Sequence, residues 1–241
     1  MSAPKLKRFY DEVAVVPIEH GFVLRLDGKP LRTPEQNSLT LPTAFLAEGL
    51  AKEWRAPGEY VIPQTMPFTK LAFTAVDRVR PDREAVIEQI SAYVNSDVVC
   101  YRASEPSDLV ERQRENWDPI VEWAVSAFNV SIRTGEGIGH IAQAYDTLCA
   151  LTAVFSDKSN FYLTALYALA ANGNSLMIAL AVAVDGMDAD EAFRSANCDE
   201  LYQSEKWGRD PEAQARLQKR AEEFGTAANF LELLGERDHK R

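Results

Sequence analysis

Between Arg8 and Leu41 the apolar residues come in short alternating runs. Val13, Val15 and Val16 are followed by Phe22, Val23 and Leu24, then Leu31 and Thr33, then Leu39-Thr40-Leu41. Glu19-His20-Gly21, Asp27-Gly28 and Gln36-Asn37-Ser38 punctuate them. Period-two runs cut by turn residues predict about three to five strands in a small twisted sheet, with Asp27-Gly28 as a hairpin turn. The period then changes. Phe45, Leu46, Leu50 and Trp54 fall in helical register, opened by Pro42-Thr43 and stopped by Pro57-Gly58,. Pro63 to Pro67 reads as a linker.

Helical stripes follow one another from there. Phe68, Leu71, Ala72, Ala75 and Val79 make the first, and Val86, Ile90, Tyr93 and Val94 the second, with Asp82 as its cap,. A long helix starts at Pro106-Ser107-Asp108 and runs through Trp117, Ile120 and Ala124 to Phe128. Another is expected from about Ile141 to Val154. The longest nearly uncharged stretch, Phe161 to Val184, has Asn172-Gly173-Asn174-Ser175 at its middle. That interruption leaves two arms, each too short to span a bilayer, which needs about 20 apolar residues. Two helices, or one broken helix, buried on nearly every face, are predicted instead. Asp188 caps the next helix, expected to run to Trp207, and Asp210-Pro211 the last. The fold class is α+β, with residues 1–62 a small N-terminal β-rich domain and residues 63–241 a larger C-terminal α-helical domain.

Composition narrows the function. At 241 residues, with 46% hydrophobic and 26% charged residues, the chain is of ordinary globular make-up,. Its net charge of −10 disfavours nucleic acid or an anionic membrane surface as partner,. Residues 1–62 balance 8 basic against 8 acidic residues, so the acid excess lies in the remainder. Cys100, Cys149 and Cys198 are odd in number and widely spaced, which argues against a disulfide or zinc framework,. The N-terminus has no apolar segment and reaches Asp11 and Glu12 too early for a transit peptide; a mature cytoplasmic protein, or a processed one, is expected,.

Candidate chemistry is sparse. His20, His140 and His239 are isolated, with no metal-ligand spacing,. Gly135, Gly137 and Gly139 lack the third glycine of a dinucleotide fingerprint, the position being His140, and no Walker or nucleophile-elbow motif occurs,. No metal and no cofactor are expected. One stripe breaks its own pattern. Ala189, Phe193, Ala196, Glu200, Gln203 and Trp207 fall on one helical side, so Glu200 and Gln203 sit where apolar residues belong,. Burying either unpaired costs a few kcal/mol. They form either an internal network with Arg78, Arg80 or Arg102, or an open polar site presented to another molecule. Trp207 divides the same way, between a core position and a binding hot spot.

These residues resemble a known family. Leu26-Asp27-Gly28-Lys29-Pro30-Leu31-Arg32-Thr33-Pro34, Glu53-Trp54, Thr65-Met66-Pro67, Leu71-Ala72 and Ala75-Val76-Asp77-Arg78-Val79 are similar to the ATP synthase assembly chaperones that hold the free alpha subunit of the catalytic F-one sector. Tyr101-Arg102-Ala103, Gln113, Trp117-Asp118-Pro119, Asp199-Glu200, Gln203 and Trp207-Gly208 continue the likeness in order. The resemblance covers roughly residues 7–235. It implies a β-rich domain ahead of a helical one, no catalysis, no cofactor, and a transient protein partner. It also implies client-binding roles for Asp199, Glu200, Gln203 and Trp207, with Asp27, Gly28, Trp54 and Trp117 structural, Trp54 as an anchor between the domains. The rival reading is a small metal-independent enzyme with Glu200 as general acid or base. Gln203 and an arginine from the Arg78–Arg102 region would then bind an anionic substrate. A deep enclosed pocket beside Glu200 would favour the enzyme, and a shallow surface the chaperone.

Overall fold

The computed structural model describes residues 6–235 apart from 138 and 209. The chain forms two compact units. The first comprises the described residues up to Arg83, with Ser159–Ala165 and the described residues from Asn229; the second comprises the described residues of Glu84–Lys158 and Leu166–Ala228.

In the first unit β1 (Leu6–Lys7) pairs antiparallel with β5 (Tyr60–Val61), and β2 (Val13–Ile18), β3 (Gly21–Leu26) and β4 (Lys29–Pro30) form an antiparallel sheet in that order. The expected hairpin lies between β3 and β4. Asp27 and Gly28 both take positive φ, 48° and 77°, the geometry that matches strand twist in a two-residue turn,. Asp27 fixes it further, its carboxylate accepting the Asp11 and Glu12 N–H groups at 3.0 and 2.8 Å.

Helix α1 (Ala44–Trp54) starts where Thr43 accepts the Leu46 N–H at 3.1 Å. Its buried face is Leu46, Ala47, Leu50, Ala51 and Trp54. Phe45, placed on that stripe by its spacing, points outward and is 75% exposed. Glu53 and Trp54 then work as a pair on α2 (Pro67–Thr74). The Glu53 carboxylate accepts the Phe68 and Thr69 N–H groups at 2.7 and 2.8 Å, capping α2 from outside its own chain segment,. The Thr69 hydroxyl donates to Glu53 at 2.7 Å and accepts the Trp54 indole N–H at 3.1 Å. Burial pushes Glu53 above the usual carboxylate range, and the bonds from Thr69 and Phe68 offset this only in part. Thr69→Val keeps the shape but strands a buried indole N–H, so it is expected to cost about 1–3 kcal/mol in urea unfolding. An unchanged midpoint would show that the shared hydroxyl contributes nothing.

A single wide turn, Ala75–Val79, follows α2 and closes with the Arg80 N–H on the Ala75 carbonyl,. It presents Asp77 to the loop after β4. Asp77 is buried and accepts the Thr33 hydroxyl at 2.7 Å, the Asn37 amide at 2.8 Å and the Glu35 N–H at 3.2 Å. Phe161 and Phe68 complete this unit's core against Phe230.

The second unit is mostly helical and carries one parallel pair, β6 (Tyr101–Arg102) with β7 (Gly135–Glu136), whose second strand lies in the glycine run. Helices α3 (Arg83–Ala92) and α4 (Ser107–Phe128) follow the stripes. Helix α5 (Tyr145–Ala153) starts later than its pattern suggests. The Gln143 amide occupies the strand-like chain before it, accepting the Arg133 N–H at 2.9 Å and donating to the Arg133 carbonyl at 2.7 Å. Helix α6 (Asn160–Gly173) ends at Asn174, which takes a left-handed φ of 49°. Ser175 then caps α7 (Leu176–Leu180), accepting the Ile178 N–H at 3.0 Å. Leu176 to Ala183 are all buried. On α6, Tyr167 is exposed, so burial is complete only past the break. Asp97, wholly buried, accepts the Met177 N–H at 2.9 Å and the Val99 N–H at 3.3 Å.

Candidate functional site

The helix expected from Asp188 to Trp207 is two helices, α8 (Ala189–Ala196) and α9 (Cys198–Trp207). Asn197 breaks it. Its side-chain amide donates to the Phe193 carbonyl at 2.8 Å and its own backbone leaves the helical region,. The predicted stripe is therefore not one surface. Glu200, Gln203 and Trp207 share a face of α9, at i, i+3 and i+7.

Another face of α9 is pinned to α4. Asp199 accepts the Gln113 amide at 2.7 Å, and the Tyr202 hydroxyl donates to Asp108 at 2.7 Å. Arg112 grips Glu205 with two bonds of 2.6 and 3.0 Å, and Lys206 pairs with Asp108 at 2.7 Å. Hydrogen bonds from Lys206 and Tyr202 hold Asp108 down to about 2. Trp117, buried on α4, donates its indole N–H to the Ser195 carbonyl at 2.7 Å. Arg102 lies over the Trp117 ring, 5.3 Å from its centre, and pairs with Asp118 at 2.9 Å. The Gln113 carbonyl oxygen of the side chain accepts the Ala103 N–H at 2.8 Å. Residues far apart in sequence thus form one network: 102–103, 113, 117–118 and 199.

The free face borders an open cleft of about 250 Å³ between α9 and the first turns of α10 (Pro211–Leu234). Glu200, Gln203, Trp207, Asp210 and Leu217 line it. Trp207 is 78% exposed, so its core alternative is set aside. Asp210 caps α10 through the Glu212 N–H at 3.1 Å. Glu200 pairs with Arg220 at 3.0 Å, and its side chain is 42% exposed. Arg220 replaces Arg78, Arg80 and Arg102, the partners considered from sequence. Its guanidinium also donates to the Asn197 side-chain oxygen at 2.6 Å and the Asn172 carbonyl at 3.0 Å, with the Phe193 ring beneath it. Asp199 turns away from this cleft, and Trp117 lies in the core behind it. Asp27, Gly28 and Trp54 belong to the first unit. Arg220 and Asn197 carried no motif signal. No metal-binding cluster occurs among the described residues, and no described helix is long and apolar enough to cross a membrane.

Against known proteins, the model of the family described as ATP12 chaperone protein matches residues 7–125. The crystal structure of Atp12 from Paracoccus denitrificans superposes with a TM-score of 0.91 at 36% identity, covering 95% of this chain and 98% of that one. The chain belongs to the ATP12 chaperone family. This is the assembly-chaperone family that its ordered motifs resemble. An aspartate-to-lysine mutant of P. denitrificans Atp12p is equally similar, with a TM-score of 0.92 at 35% identity and coverage of 95% and 98%. The mitochondrial atp12 protein of Schizosaccharomyces pombe is 26% identical over 218 residues, 85% of this chain and 75% of its own length. The ATP12 motifs form three polar clusters, two in the first unit and one in the second. Thr33 meets Asp77, and Glu53-Trp54 meet Thr69, in the first. The Arg102–Gln113–Asp199 network lies in the second.

Proposed function

We propose that this ATP12 family member holds the unassembled alpha subunit of the ATP synthase catalytic sector, keeps it from aggregating and passes it to assembly without doing chemistry on it. The compartment proposed is the bacterial cytoplasm. The observation that carries the reading is the open cleft on α9, where a largely exposed Trp207 stands beside Glu200 and Gln203. A free subunit exposes apolar interface larger than monomers tolerate. An exposed indole flanked by polar groups is the kind of anchor that binding hot spots use. The enzyme reading asked for an enclosed acid–base site; here Glu200 lies on an open face and is engaged by Arg220.

Light scattering by the isolated alpha subunit, with and without an equimolar amount of this protein, tests the proposal. Suppression of aggregation is expected, and Glu200→Lys is expected to abolish most of it. The variant breaks a part-exposed ion pair and sets an ammonium beside Arg220, so a urea unfolding curve matching the wild type's is the control that the fold is kept,. Suppression that survives Glu200→Lys would move the site off this face, and no suppression would refute the function.

A further inference from the structure

The first unit has a cavity of its own, about 450 Å³, with Trp54, Val61, Met66 and Phe73 in its walls. That lies within the roughly 300–1,000 Å³ typical of ligand sites. Nearly every polar group lining it is already engaged. The Thr69 hydroxyl serves Glu53 and Trp54. Thr74 donates to the Lys70 carbonyl at 2.8 Å. Asp77 is turned to the loop at residues 33–37, and Arg78 pairs with Glu35 at 3.0 Å. Lys70 remains. Its ammonium is the one lining charge that meets no partner among the described residues.

An apolar cavity with one free cation selects its occupant. The ammonium stands at the exposed mouth, so a neutral apolar group entering the cavity gains nothing from it, and a cation would be repelled,. An apolar group with a carboxylate beside it satisfies both parts. Exposed residues at the mouth, including Pro34, Pro63 and Lys70, let a side chain enter while its backbone stays outside. We propose that this cavity receives an apolar side chain of the protein client whose neighbouring residue is acidic, with Lys70 pairing to that acid. The inference rests on the chaperone reading above and adds a second docking point to it.

Anilinonaphthalene sulfonate, an apolar aromatic anion, is the probe. The full chain is expected to bind it and enhance its emission, with Trp54 in the cavity wall the tryptophan nearest the site among the chain's four. Lys70→Glu should weaken binding about tenfold. Thr74→Trp should fill the cavity and remove the signal, and Glu200→Lys should leave it unchanged. Lys70 is on the surface, so its variant remains informative should Thr74→Trp fail to fold. Both cavity variants should also suppress alpha-subunit aggregation less well than the wild type. Equal probe binding by wild type and Lys70→Glu would overturn the site. Probe binding lost with client holding intact would overturn the client assignment and leave a site for a free apolar acid. A wild type that holds no client would remove the reading beneath the proposal, and this shows before any variant is made.

Discussion

Trp117→Ala is expected to lower stability by about 3–5 kcal/mol, the range for truncating a large buried aromatic. The ring is fully buried on α4, and its indole N–H is satisfied by the Ser195 carbonyl at the end of α8. Truncation therefore opens a cavity and also leaves that carbonyl short of a donor. It further removes the face on which Arg102 rests, 5.3 Å from the ring centre. Trp117→Phe keeps most of the volume and loses chiefly the hydrogen bond, so about 1–3 kcal/mol is expected. Urea unfolding of both variants measures the two parts separately. A cost below about 1 kcal/mol for Trp117→Ala would contradict the packing described.

Asp97 should make stability fall as pH rises from 4 to 7. Its carboxyl is wholly enclosed, and burial pushes it from the ordinary 3.8 up to about 6, against the hydrogen bonds from Ser175, Met177 and Val99 that favour the charged form. A folded-state value raised above the unfolded one contributes stability that is complete below the unfolded value. That contribution is lost as pH climbs through about 6,. A shift of about two units corresponds to about 3 kcal/mol. Asp97→Asn cannot ionise. The stability of the wild type relative to this variant is expected to drop by about 2–2.5 kcal/mol between pH 4 and pH 7,. Glu53 shifts in the same direction but is common to both proteins, so it cancels in the difference. A difference that does not change with pH would mean Asp97 is not the group being titrated.

Local signals gave the strands, the Asp27-Gly28 hairpin, the Thr43 cap and the break at Asn174-Ser175, because each depends on neighbours in sequence. What escaped depends on distant ones. Glu53 caps α2 and Asp97 meets the start of α7, and no periodicity reveals a cap supplied from another segment. Asn197 looks like an ordinary helical residue until its amide takes the Phe193 carbonyl and splits α8 from α9. Glu200 and Gln203 were legible as misfits on an apolar stripe. Arg220, which pairs Glu200, lies 20 residues away on another helix and had no local mark. The helical period put Phe45 on the buried face, but a stripe of apolar residues is wider than the core contact it serves. The ordered motifs looked like separate islands; the structure joins many of their residues into three hydrogen-bonded clusters.

The face of α9 that carries Glu200, Gln203 and Trp207 is where this account places the client. Amide hydrogen exchange on this protein, alone and mixed with the isolated alpha subunit, tests that most directly. Slowed exchange in α9 and the first turns of α10 is the predicted result, beside any protection around the Lys70 cavity, and Glu200→Lys should erase the α9 part. A stable complex whose protection lies elsewhere, with exchange in α9 unchanged, would contradict the account.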